Sequence, residues 1–430
     1  MYLDLETQEC HLECPETLIS IQTAELEQYN GQVFNYCRDP TQYYVDNLSK
    51  ESIELGTQKY PFKQIDDPFR EIFNNAYQQE YNITINVKTN SPLYIFASNM
   101  PLVMLNQNFT ITTYQGNNPM DWEEIMEKTK IDNDGQMPAN FFIQIEESIP
   151  IPYNYEKMNS LGLMSDNEVV NVKDMFYVLN STLLLSNLAF GDAITLSNDG
   201  FEKALIYNPN SQKWVNVTNC YFGIKERFMF TLTGFNFHVR DSYFDQTYLV
   251  TTYLTSYSLN CSNIEETYEQ SLIQIFENNT FFGFNNNQQT NLYFDNVFGY
   301  VHIINNKFYG NQISSSSSPI YFYYSDACEK DHAEKRILFK DNIIDYGSLP
   351  YYENNLIQIE YIKSGYANLT VEITGNIFQN TIYGVYGWSY IDLKDRTDKM
   401  KVIITNNTFK NVTNHRPIHR GLKTIYWNID

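Results

Sequence analysis

Basic residues are scarce in this chain of 430 residues. Its 29 Lys and Arg stand against 51 Asp and Glu, which gives a formal net charge of −22. Binding of a phosphate backbone needs a basic stripe, so the charge balance excludes nucleic acid as a partner. Charged residues make up only 19% of the chain, whereas 43% is hydrophobic. That composition excludes disorder and provides for a large core.

Long hydrophobic runs are also absent. No stretch of the sequence reaches the roughly 18 consecutive apolar residues that a membrane-spanning helix requires, so we predict no membrane span in this chain. The first residues, Met1 to Glu6, lack the charged and apolar regions of a signal peptide. The sequence therefore carries no visible address for secretion.

A repeated motif dominates the C-terminal half of the chain. It consists of Asn or Asp, any residue, and then an aromatic residue or Ile, and it usually closes with Gly, Asn or Asp. Seven copies recur about 31 residues apart on average, a period typical of solenoids. The polar residues that anchor them are Asn219, Asp241, Asn279, Asn306, Asn342, Asn376 and Asn407.

Alternating runs of apolar and polar residues precede most copies of the motif. Val371–Ile373 and Val402–Ile404 lie directly before two copies, and Leu356–Tyr361 is one of a second set further upstream. Alternation with a period of two indicates half-buried strands. Strand, variable loop, strand, Asn turn and strand make one coil of a right-handed parallel β-helix. A β-sandwich with Asn-rich turns would explain the alternation but not the recurring Asn-x-Phe.

We therefore predict an all-β, right-handed parallel β-helix of about eleven coils. Neighbouring coils would pair at about 4.8 Å, and inward side chains would stack like on like. Aromatic and Ile stacks would fill the core. The seven anchoring residues would form an internal turn ladder, in which each amide donates to the next carbonyl so that no buried polar group stays unpaired.

Residues before the repeats predict a helix that caps the solenoid. Asp67 supplies an N-cap and Pro68 the first helical position. Phe69, Ile72, Phe73, Ala76 and Tyr77 then follow at the spacing of one apolar helical face, so we expect a helix near 67–79. This helix would cover the open end of the solenoid core, which would otherwise expose apolar side chains and unpaired strand edges.

The lead-in segment and the repeats together resemble the pectin-lyase-like right-handed β-helix proteins. The resemblance rests on Tyr44–Asp46, Gly56-Thr57, Pro61-Phe62, the helix after Asp67 and Ile83–Ile85, and on the C-terminal repeats. Asn-rich versions resemble large surface proteins of ciliated protozoa. The resemblance implies the fold but not the activity, because this fold hosts lyases, hydrolases, esterases, adhesins and structural proteins.

The same patterns divide the chain into three parts. We predict a Cys-containing appendage over residues 1–42, a lead-in strand with the capping helix over 43–82, and the β-helix over 83–430. Residues 114–175 interrupt the repeat, and we interpret them as a long insertion from one coil; such loops often hold a site.

The groups that carry out catalysis in this fold are not recognisable in the sequence. The Gly-His-Gly and Arg-x-Lys strings of the family's hydrolases do not occur. A net charge of −22 would repel a polyuronate unless Ca²⁺ bridged the two. Adjacent carboxylates such as Asp66-Asp67, Glu146-Glu147 and Glu265-Glu266 are expected on solvated faces. We predict no catalytic residue and no cofactor, with a Ca²⁺-assisted lyase kept as an alternative.

The six cysteines are candidates for disulfides. They are Cys10, Cys14, Cys37, Cys220, Cys261 and Cys328. We expect Cys37 to pair with Cys10 or Cys14, and the other three to find partners in loops that neighbouring coils bring together. Cys10-His11 with Cys14 resembles part of a zinc site, but no second Cys/His pair stands at a fitting distance in the sequence.

His415 and His419 have the spacing of a helical metal-ligand pair. Pro417 lies between them and makes a helix unfavourable, so exposed loop histidines are the simpler interpretation. The sequence therefore leaves open whether the chain binds a metal.

Ten Asn-x-Ser/Thr triplets are candidates for N-glycosylation. Their asparagines are Asn47, Asn82, Asn108, Asn180, Asn216, Asn260, Asn278, Asn368, Asn406 and Asn411. Asn278 and Asn406 each precede a ladder residue, so alternation would point them outward.

The 35 Tyr leave two interpretations open. Outward rings could stack on sugars along one flat face, or most rings could line the core with the hydroxyl paired or reaching water.

From these features we predict a non-catalytic extracellular structural or adhesive protein, a glycosylated β-helical rod of a cell coat or filament. A polysaccharide lyase and a carbohydrate-binding module are the alternatives, so carbohydrate is kept as a partner. The strand-like residues 422–430 lack a polar cap, and either a continuing chain or end-to-end stacking of subunits would cover that edge.

Overall fold

The computed structural model describes the strands, the turns between them and the lead-in segment. The described residues are 2–4, 10–15, 18–22, 35–75, 80–88, 94–96, 102–105, 107–113, 143–145, 176–179, 181–190, 194–197, 214–223, 228–233, 236–245, 248–252, 273–282, 292–295, 299–309, 320–324, 334–345, 348–349, 356–361, 368–380, 382–383, 391–395, 399–411, 418–420 and 426–428.

Three long parallel sheets extend over the described chain from Gln42 to Asn428. Sheet 1 contains Gln42–Val45, Asn82–Val87, Asn108–Thr113, Thr182–Ser186, Trp214–Thr218, Asn236–Arg240, Ile273–Glu277, Tyr300–Ile304, Lys335–Lys340, Leu369–Thr374, Met400–Thr405 and Tyr426–Asn428. Sheet 2 contains Tyr94–Phe96, Ile143–Ile145, Ala189–Phe190, Tyr221–Gly223, Tyr243–Asp245, Thr280–Phe282, Lys307–Tyr309, Ile343–Asp345, Ile377–Gln379 and Thr408–Lys410. Sheet 3 contains Leu102–Leu105, Phe176–Leu179, Ile194–Ser197, Phe228–Thr233, Tyr248–Thr252, Leu292–Asp295, Ile320–Tyr324, Ile357–Tyr361, Ile391–Asp395 and Ile418–Arg420.

Each coil contributes one strand to each sheet in turn. Ile273–Glu277 of sheet 1 turns at once into Thr280–Phe282 of sheet 2, and Leu292–Asp295 of sheet 3 follows before the chain returns to sheet 1. Every strand pairs in parallel with the equivalent strand of the next coil, as Ile273–Glu277 does with Tyr300–Ile304. The all-β parallel β-helix predicted from the sequence is therefore confirmed.

The core consists of stacked side chains from successive coils. In sheet 2 the rings of Phe190, Phe222, Phe244, Phe281 and Phe308 follow one another at centroid distances of 5.3, 4.7, 4.7 and 4.9 Å. Offset pairs of this kind contribute about 0.5–1.5 kcal/mol each beyond their burial. Like residues stack because the register between coils holds each strand position in line.

The capping helix spans Asp67–Asn75. Phe69 and Ile72 are buried, and the Phe69 ring stacks on Phe109 of sheet 1 at 5.9 Å, so the apolar face covers the core as expected. The Arg70 amide donates to the Asp66 carbonyl. Asp66 is therefore the N-cap, one residue before the predicted Asp67, and Pro68 is the second helical residue. The predicted positions Ala76 and Tyr77, and the side chain of Phe73, lie outside the described residues.

The N-terminal appendage forms a separate four-stranded sheet. Its strands are Tyr2–Asp4, Cys10–His11, Ile19–Gln22 and Asn35–Arg38. Arg38, at the end of the last of these strands, joins the sheet to the β-helix. Its guanidinium donates to the Leu55 carbonyl at 3.1 Å and to Glu71 Oε1 on the helix at 2.9 Å, and lies 3.7 Å from the Tyr43 ring centroid.

The boundaries predicted near residues 42 and 82 fall beside strands of sheet 1. Gln42–Val45 is the edge strand of that sheet, and it pairs with Asn82–Val87. The lead-in strand and the first coil therefore share one hydrogen-bonded ladder.

The segment predicted as an insertion, 114–175, contains one described strand. Ile143–Ile145 lies in sheet 2 between Tyr94–Phe96 and Ala189–Phe190. A strand of the frame therefore divides the predicted insertion, whose other residues lie outside the described part of the chain.

Candidate functional site

The turn between sheets 1 and 2 contains a continuous ladder of asparagine amides, which we call the inner ladder; four of its members are buried and the last is half-buried. Its members are Asn279, Asn306, Asn342, Asn376 and Asn407. The Nδ2 atom of each donates to the Oδ1 atom of the next at 3.0, 3.1, 3.0 and 2.9 Å. Each Oδ1 atom also accepts from the preceding member's backbone N–H at 2.8–2.9 Å.

The same amides bond to the preceding coil. Asn342 Nδ2 donates to the Ile303 carbonyl at 2.8 Å, and Asn376 Nδ2 donates to the Phe339 carbonyl at 2.9 Å. The side chains of the first four members therefore each connect three successive coils and leave little polar capacity unused. This network explains how Asn279, Asn306, Asn342 and Asn376 can be fully buried, because their polar groups are hydrogen-bonded.

Two of the seven predicted ladder residues lie one position too early. The inner ladder continues through Cys220 and Ser242 rather than through Asn219 and Asp241: the Cys220 amide donates to Ser242 Oγ at 3.1 Å, and the Ser242 amide donates to Asn279 Oδ1 at 3.0 Å. The sequence signal that was missed is the distance to the inward ring. A true inner-ladder residue stands two positions before that ring, as Ser242 does before Phe244.

Asn219 and Asp241 belong to an outer row of the same turn, where the backbone is left-handed. Asn187, Asn219, Asp241, Asn278, Asn305, Asp341 and Asn406 have φ between 50° and 56°, and Gly375 has φ of 70° at the equivalent position. Asn and Asp tolerate this conformation better than other side chains. Several of these residues are also bonded to each other, as Asn305 Nδ2 is to Asn278 Oδ1 at 2.6 Å.

One disulfide is present among the described residues. Cys14 bonds to Cys37, which decides between the two predicted partners of Cys37 in favour of Cys14. Cys220 is a free buried thiol and not a disulfide partner, because its side chain points into the turn of the solenoid. Burial raises the pKa of Cys220 to about 12. Cys10 lies in the strand Cys10–His11, and Cys261 and Cys328 lie outside the described residues.

The predicted glycosylation residues differ in exposure. Asn82, Asn278, Asn368, Asn406 and Asn411 are exposed, whereas Asn47, Asn108 and Asn216 are half-buried. Asn180 and Asn260 lie outside the described residues. No described candidate is fully buried, so exposure alone does not select among them.

A carboxylate cluster lies at the start of the capping helix, where the sequence suggested a solvated face. The Asp66 side chain is 0% exposed and forms a short ion pair with Arg70, while Asp67 is half-buried. Burial raises the pKa of Asp66. Burial and then the adjacent charge of Asp66 raise the pKa of Asp67 to about 7. The expectation of a solvated face is wrong here because the helix must dock its first turn to cover the core; Glu146 and Glu265 lie outside the described residues.

The histidines described do not form a metal centre. His419 lies in the strand Ile418–Arg420, and His415 lies outside the described residues. Burial and the Arg336 guanidinium lower the pKa of His302. Within the described ranges, no group of three or more His, Cys, Asp or Glu is placed to hold a metal ion.

The outward face of sheet 3 carries a group of polar aromatic side chains, which we call the tyrosine face. Ile320, Phe322 and Tyr324 of one strand are buried, so Tyr321 and Tyr323 point outward and are half-buried. Tyr293 of the preceding coil is in register with Tyr321. The ring centroids of Tyr293 and Tyr321 are 5.4 Å apart, and those of Tyr321 and Tyr323 are 5.9 Å apart.

A carboxylate and an amide continue the tyrosine face into the next coil. Gln358 is in register with Tyr321, and Glu360 is in register with Tyr323. Gln358 Nε2 donates to Glu360 Oε1 at 2.5 Å. Burial, and then the charge and hydrogen bond of Glu360, raise the pKa of the Tyr321 hydroxyl. Three rings, an amide and a carboxylate thus share one outward surface over three coils.

Comparison with known proteins assigns the chain to no family. No family model matches the chain, and no curated protein matches it. Among solved structures, a glycoside hydrolase family 136 lacto-N-biosidase from Eubacterium ramulus is similar at 12% identity and a TM-score of 0.28, over 87% of this chain and 68% of that chain. Among the described residues, no helix has the length and apolar character needed to cross a membrane.

Proposed function

We propose that this chain is a non-catalytic structural and adhesive protein, a β-helical rod that binds carbohydrate through its tyrosine face. The observation that supports adhesion is the surface of Tyr293, Tyr321 and Tyr323 beside Glu360. The observation that supports a structural role is the inner ladder, which bonds successive coils throughout the region from Asn279 to Asn407.

Tyrosine rings suit sugars because each ring offers a broad apolar surface with a polar atom at its edge. A pyranose presents C–H groups on one face and hydroxyls around its rim. On the tyrosine face, the rings would contact the C–H groups, while the Glu360 carboxylate and the Gln358 amide would bond the hydroxyls. Tyr321 and Tyr323 project from a paired strand, so little conformational entropy is lost on binding.

The charge of the chain favours a neutral glycan over an acidic one. Glu360 is itself part of the surface, and the whole chain carries a net charge of −22. A polyuronate would meet repulsion from both, whereas a neutral hexose polymer would not. The proposed ligand is therefore a neutral polysaccharide or oligosaccharide.

We also propose an extracellular location. The Cys14–Cys37 disulfide supports it, because such bonds persist mainly in oxidising compartments. The resemblance of the lead-in segment and repeats to pectin-lyase-like proteins is in keeping with that location and with a carbohydrate partner.

The test is binding of the unglycosylated protein to an array of neutral and acidic glycans, followed by calorimetry with the best ligand. We expect Tyr321→Ala to weaken binding at least tenfold. Tyr321→Phe, which keeps the ring but loses the hydroxyl bonded to Glu360, should cause a smaller loss. Tyr309→Ala is the matched control, because Tyr309 is also a half-buried outward tyrosine but lies on sheet 2.

Three outcomes would contradict the proposal. A blank array, or equal losses for Tyr321→Ala and Tyr309→Ala, would remove carbohydrate binding from the tyrosine face. Release of unsaturated product or new reducing ends from any polysaccharide, with or without Ca²⁺, would show that the chain is an enzyme. Unsaturated product in particular would favour the lyase alternative.

A further inference from the structure

We propose that Asn368 and Asn406 are N-glycosylated and that Asn82, Asn108, Asn278 and Asn411 stay bare. This inference rests on the proposed extracellular location, because the modification requires passage through a secretory compartment. The sugar attaches to the amide nitrogen of asparagine. We therefore distinguish the candidates by the hydrogen bonds and the exposure of their side-chain amides.

Two exposed candidates have amide nitrogens that are already bonded to neighbouring coils. Asn278 Nδ2 donates to Asp241 Oδ1 at 3.3 Å, and its Oδ1 accepts from Asn305 at 2.6 Å. Asn411 Nδ2 donates to Asn380 Oδ1 at 3.0 Å. A sugar on either nitrogen would replace a hydrogen atom that now takes part in this bonding. The neighbouring side chains lie only one coil away, at about 4.8 Å, so a glycan would also be crowded there.

Two further candidates are engaged with each other. Asn108 Nδ2 donates to Asn82 Oδ1 at 3.0 Å and to Glu80 Oε1 at 3.1 Å. Asn82 and Asn108 are also direct partners in the register of sheet 1. A glycan on one of them would have to pass over the other side chain, which disfavours both.

Asn368 and Asn406 differ from these candidates. Both side chains are exposed, and neither is hydrogen-bonded to another described residue. Asn368 immediately precedes the strand Leu369–Thr374, and Asn406 immediately follows Met400–Thr405. A glycan can therefore leave either nitrogen without displacing a ladder bond.

The rest of each triplet has a geometry that suits the modification. Leu369 is buried in the core, so Asn368 and Thr370 lie on the same outward side of the chain. Asn407 occupies the inner ladder, and Thr408 beyond it is exposed, as Asn406 is. In both triplets the middle residue points inward, so the Asn and the Thr point outward on the same side.

The two positions lie at opposite ends of neighbouring strands. Leu369–Thr374 pairs in register with Met400–Thr405. Six residues of strand separate the two ends by roughly 20 Å. Glycans at Asn368 and Asn406 would thus stand on the two sides of the outward face of sheet 1, on adjacent coils.

The experiment is glycopeptide mapping of the full chain secreted from eukaryotic cells behind a cleavable leader peptide. We expect high occupancy at Asn368 and Asn406 and little or none at Asn82, Asn108, Asn278 and Asn411. Thr370→Ala and Thr408→Ala should each remove one glycan from the intact mass while leaving both asparagines and their backbone conformation in place. Thr110→Ala, in the triplet of Asn108, is the control and should change the mass only by the substitution itself.

Secreted protein without glycans, or with glycans mainly on the ladder-bonded asparagines, would overturn the inference. These results are distinguishable from failure of the proposed function. Carbohydrate binding is measured on unglycosylated protein, and it depends on Tyr321 rather than on any Asn-x-Ser/Thr triplet.

Discussion

The amide oxygen of Asn342 accepts two hydrogen bonds from Asn306, one from its backbone N–H at 2.8 Å and one from its side chain at 3.1 Å. Asn342 in turn donates to the Ile303 carbonyl and to Asn376 Oδ1. One side chain thus satisfies polar groups in the coils on both sides of its own, so the turn depends strongly on it.

Replacing Asn342 with Ala should therefore be costly. The change leaves the Asn306 N–H and the Ile303 carbonyl buried with a bond missing, at about 1–3 kcal/mol each, so we expect a loss of about 3 kcal/mol in the free energy of unfolding. Denaturant unfolding measures it. Asn368→Ala, on an exposed asparagine outside the ladder, is the control; equal effects of the two variants would show that the ladder contributes nothing specific.

A second prediction concerns Gln274, whose substitution should have the opposite effect. Gln274 points inward in register with Phe237 and Val301, is 4% exposed, and its Oε1 atom has no hydrogen-bond partner among the described residues. Gln274→Leu removes this unsatisfied oxygen at similar volume. We expect a gain of about 1–2 kcal/mol in stability. Asn216→Leu, an outward change on the same sheet, should give no such gain, and a destabilised Gln274→Leu would mean that the amide is satisfied in solution.

Gly375 stands where the outer row of the turn otherwise has Asn or Asp. Substitutions there distinguish the cost of a left-handed backbone from the cost of a steric clash. A Cβ atom there would collide with Asp341 Oδ1, the movable end of an exposed side chain, while φ is 70°. Asn occupies the equivalent positions in other coils, so Gly375→Asn should stay within about 1 kcal/mol of the parent. Gly375→Val should cost about 2 kcal/mol or more, because a branched side chain strains a left-handed backbone. Equal unfolding midpoints for the two variants would refute this account.

The start of the capping helix should make stability depend on pH. The pKa of Asp67 is about 7 in the folded chain, against an ordinary value of 3.8, so the folded state binds a proton more tightly than the unfolded state. The contribution of Asp67 to the free energy of unfolding is therefore greatest below pH 4, and it decreases as the pH rises towards 7. The loss should be on the order of 2 kcal/mol.

The measurement for Asp67 is the unfolding midpoint at pH 5 and at pH 8. Asp67→Asn should reduce the difference between them, and Asp66, whose pKa is also raised, should leave a smaller difference of the same sign. Asp241→Asn, on an exposed aspartate of the outer row, is the control. A slope of the opposite sign would contradict the prediction.

Cys220 should be chemically silent in the folded protein. Its thiol is buried and has a pKa of about 12, so almost no thiolate is present at pH 8. We expect iodoacetamide to modify Cys220 only after denaturation, as read by peptide mass spectrometry. Rapid modification of the native protein, or a disulfide from Cys220 to Cys261 or Cys328, would contradict the structure.

The sequence predicted the frame because the frame is periodic. Each coil repeats an inward ring two residues after an inner-ladder position, and Asn at five such positions makes the repeat visible. Where Cys220 and Ser242 replace Asn, their smaller side chains still fit the turn, but the nearby Asn219 and Asp241 imitate the motif. The ladder position was predicted one residue too early in these two coils because the prediction looked for an Asn or Asp side chain. The spacing to Phe222 and Phe244 identifies the correct residue.

The tyrosine face could not be predicted in the same way. Alternation indicates that Tyr321 and Tyr323 share one side of a strand, but their neighbours come from other coils. Tyr293 and Gln358 reach Tyr321 only through the register, which depends on loops of unequal length. The burial of Asp66 could not be predicted from the sequence either, because it depends on how the helix docks on the core.

The inner ladder keeps the geometry of the turn constant although the loops between the strands differ in length. Successive ladder residues from Asn279 to Asn407 are 27, 36, 34 and 31 positions apart, yet their amide distances stay between 2.9 and 3.1 Å. Residues can thus be gained or lost between strands without disturbing the turn that fixes the register. A scaffold of this kind can diversify its surface loops freely, and new segments could be grafted between sheets 2 and 3 without redesigning the core.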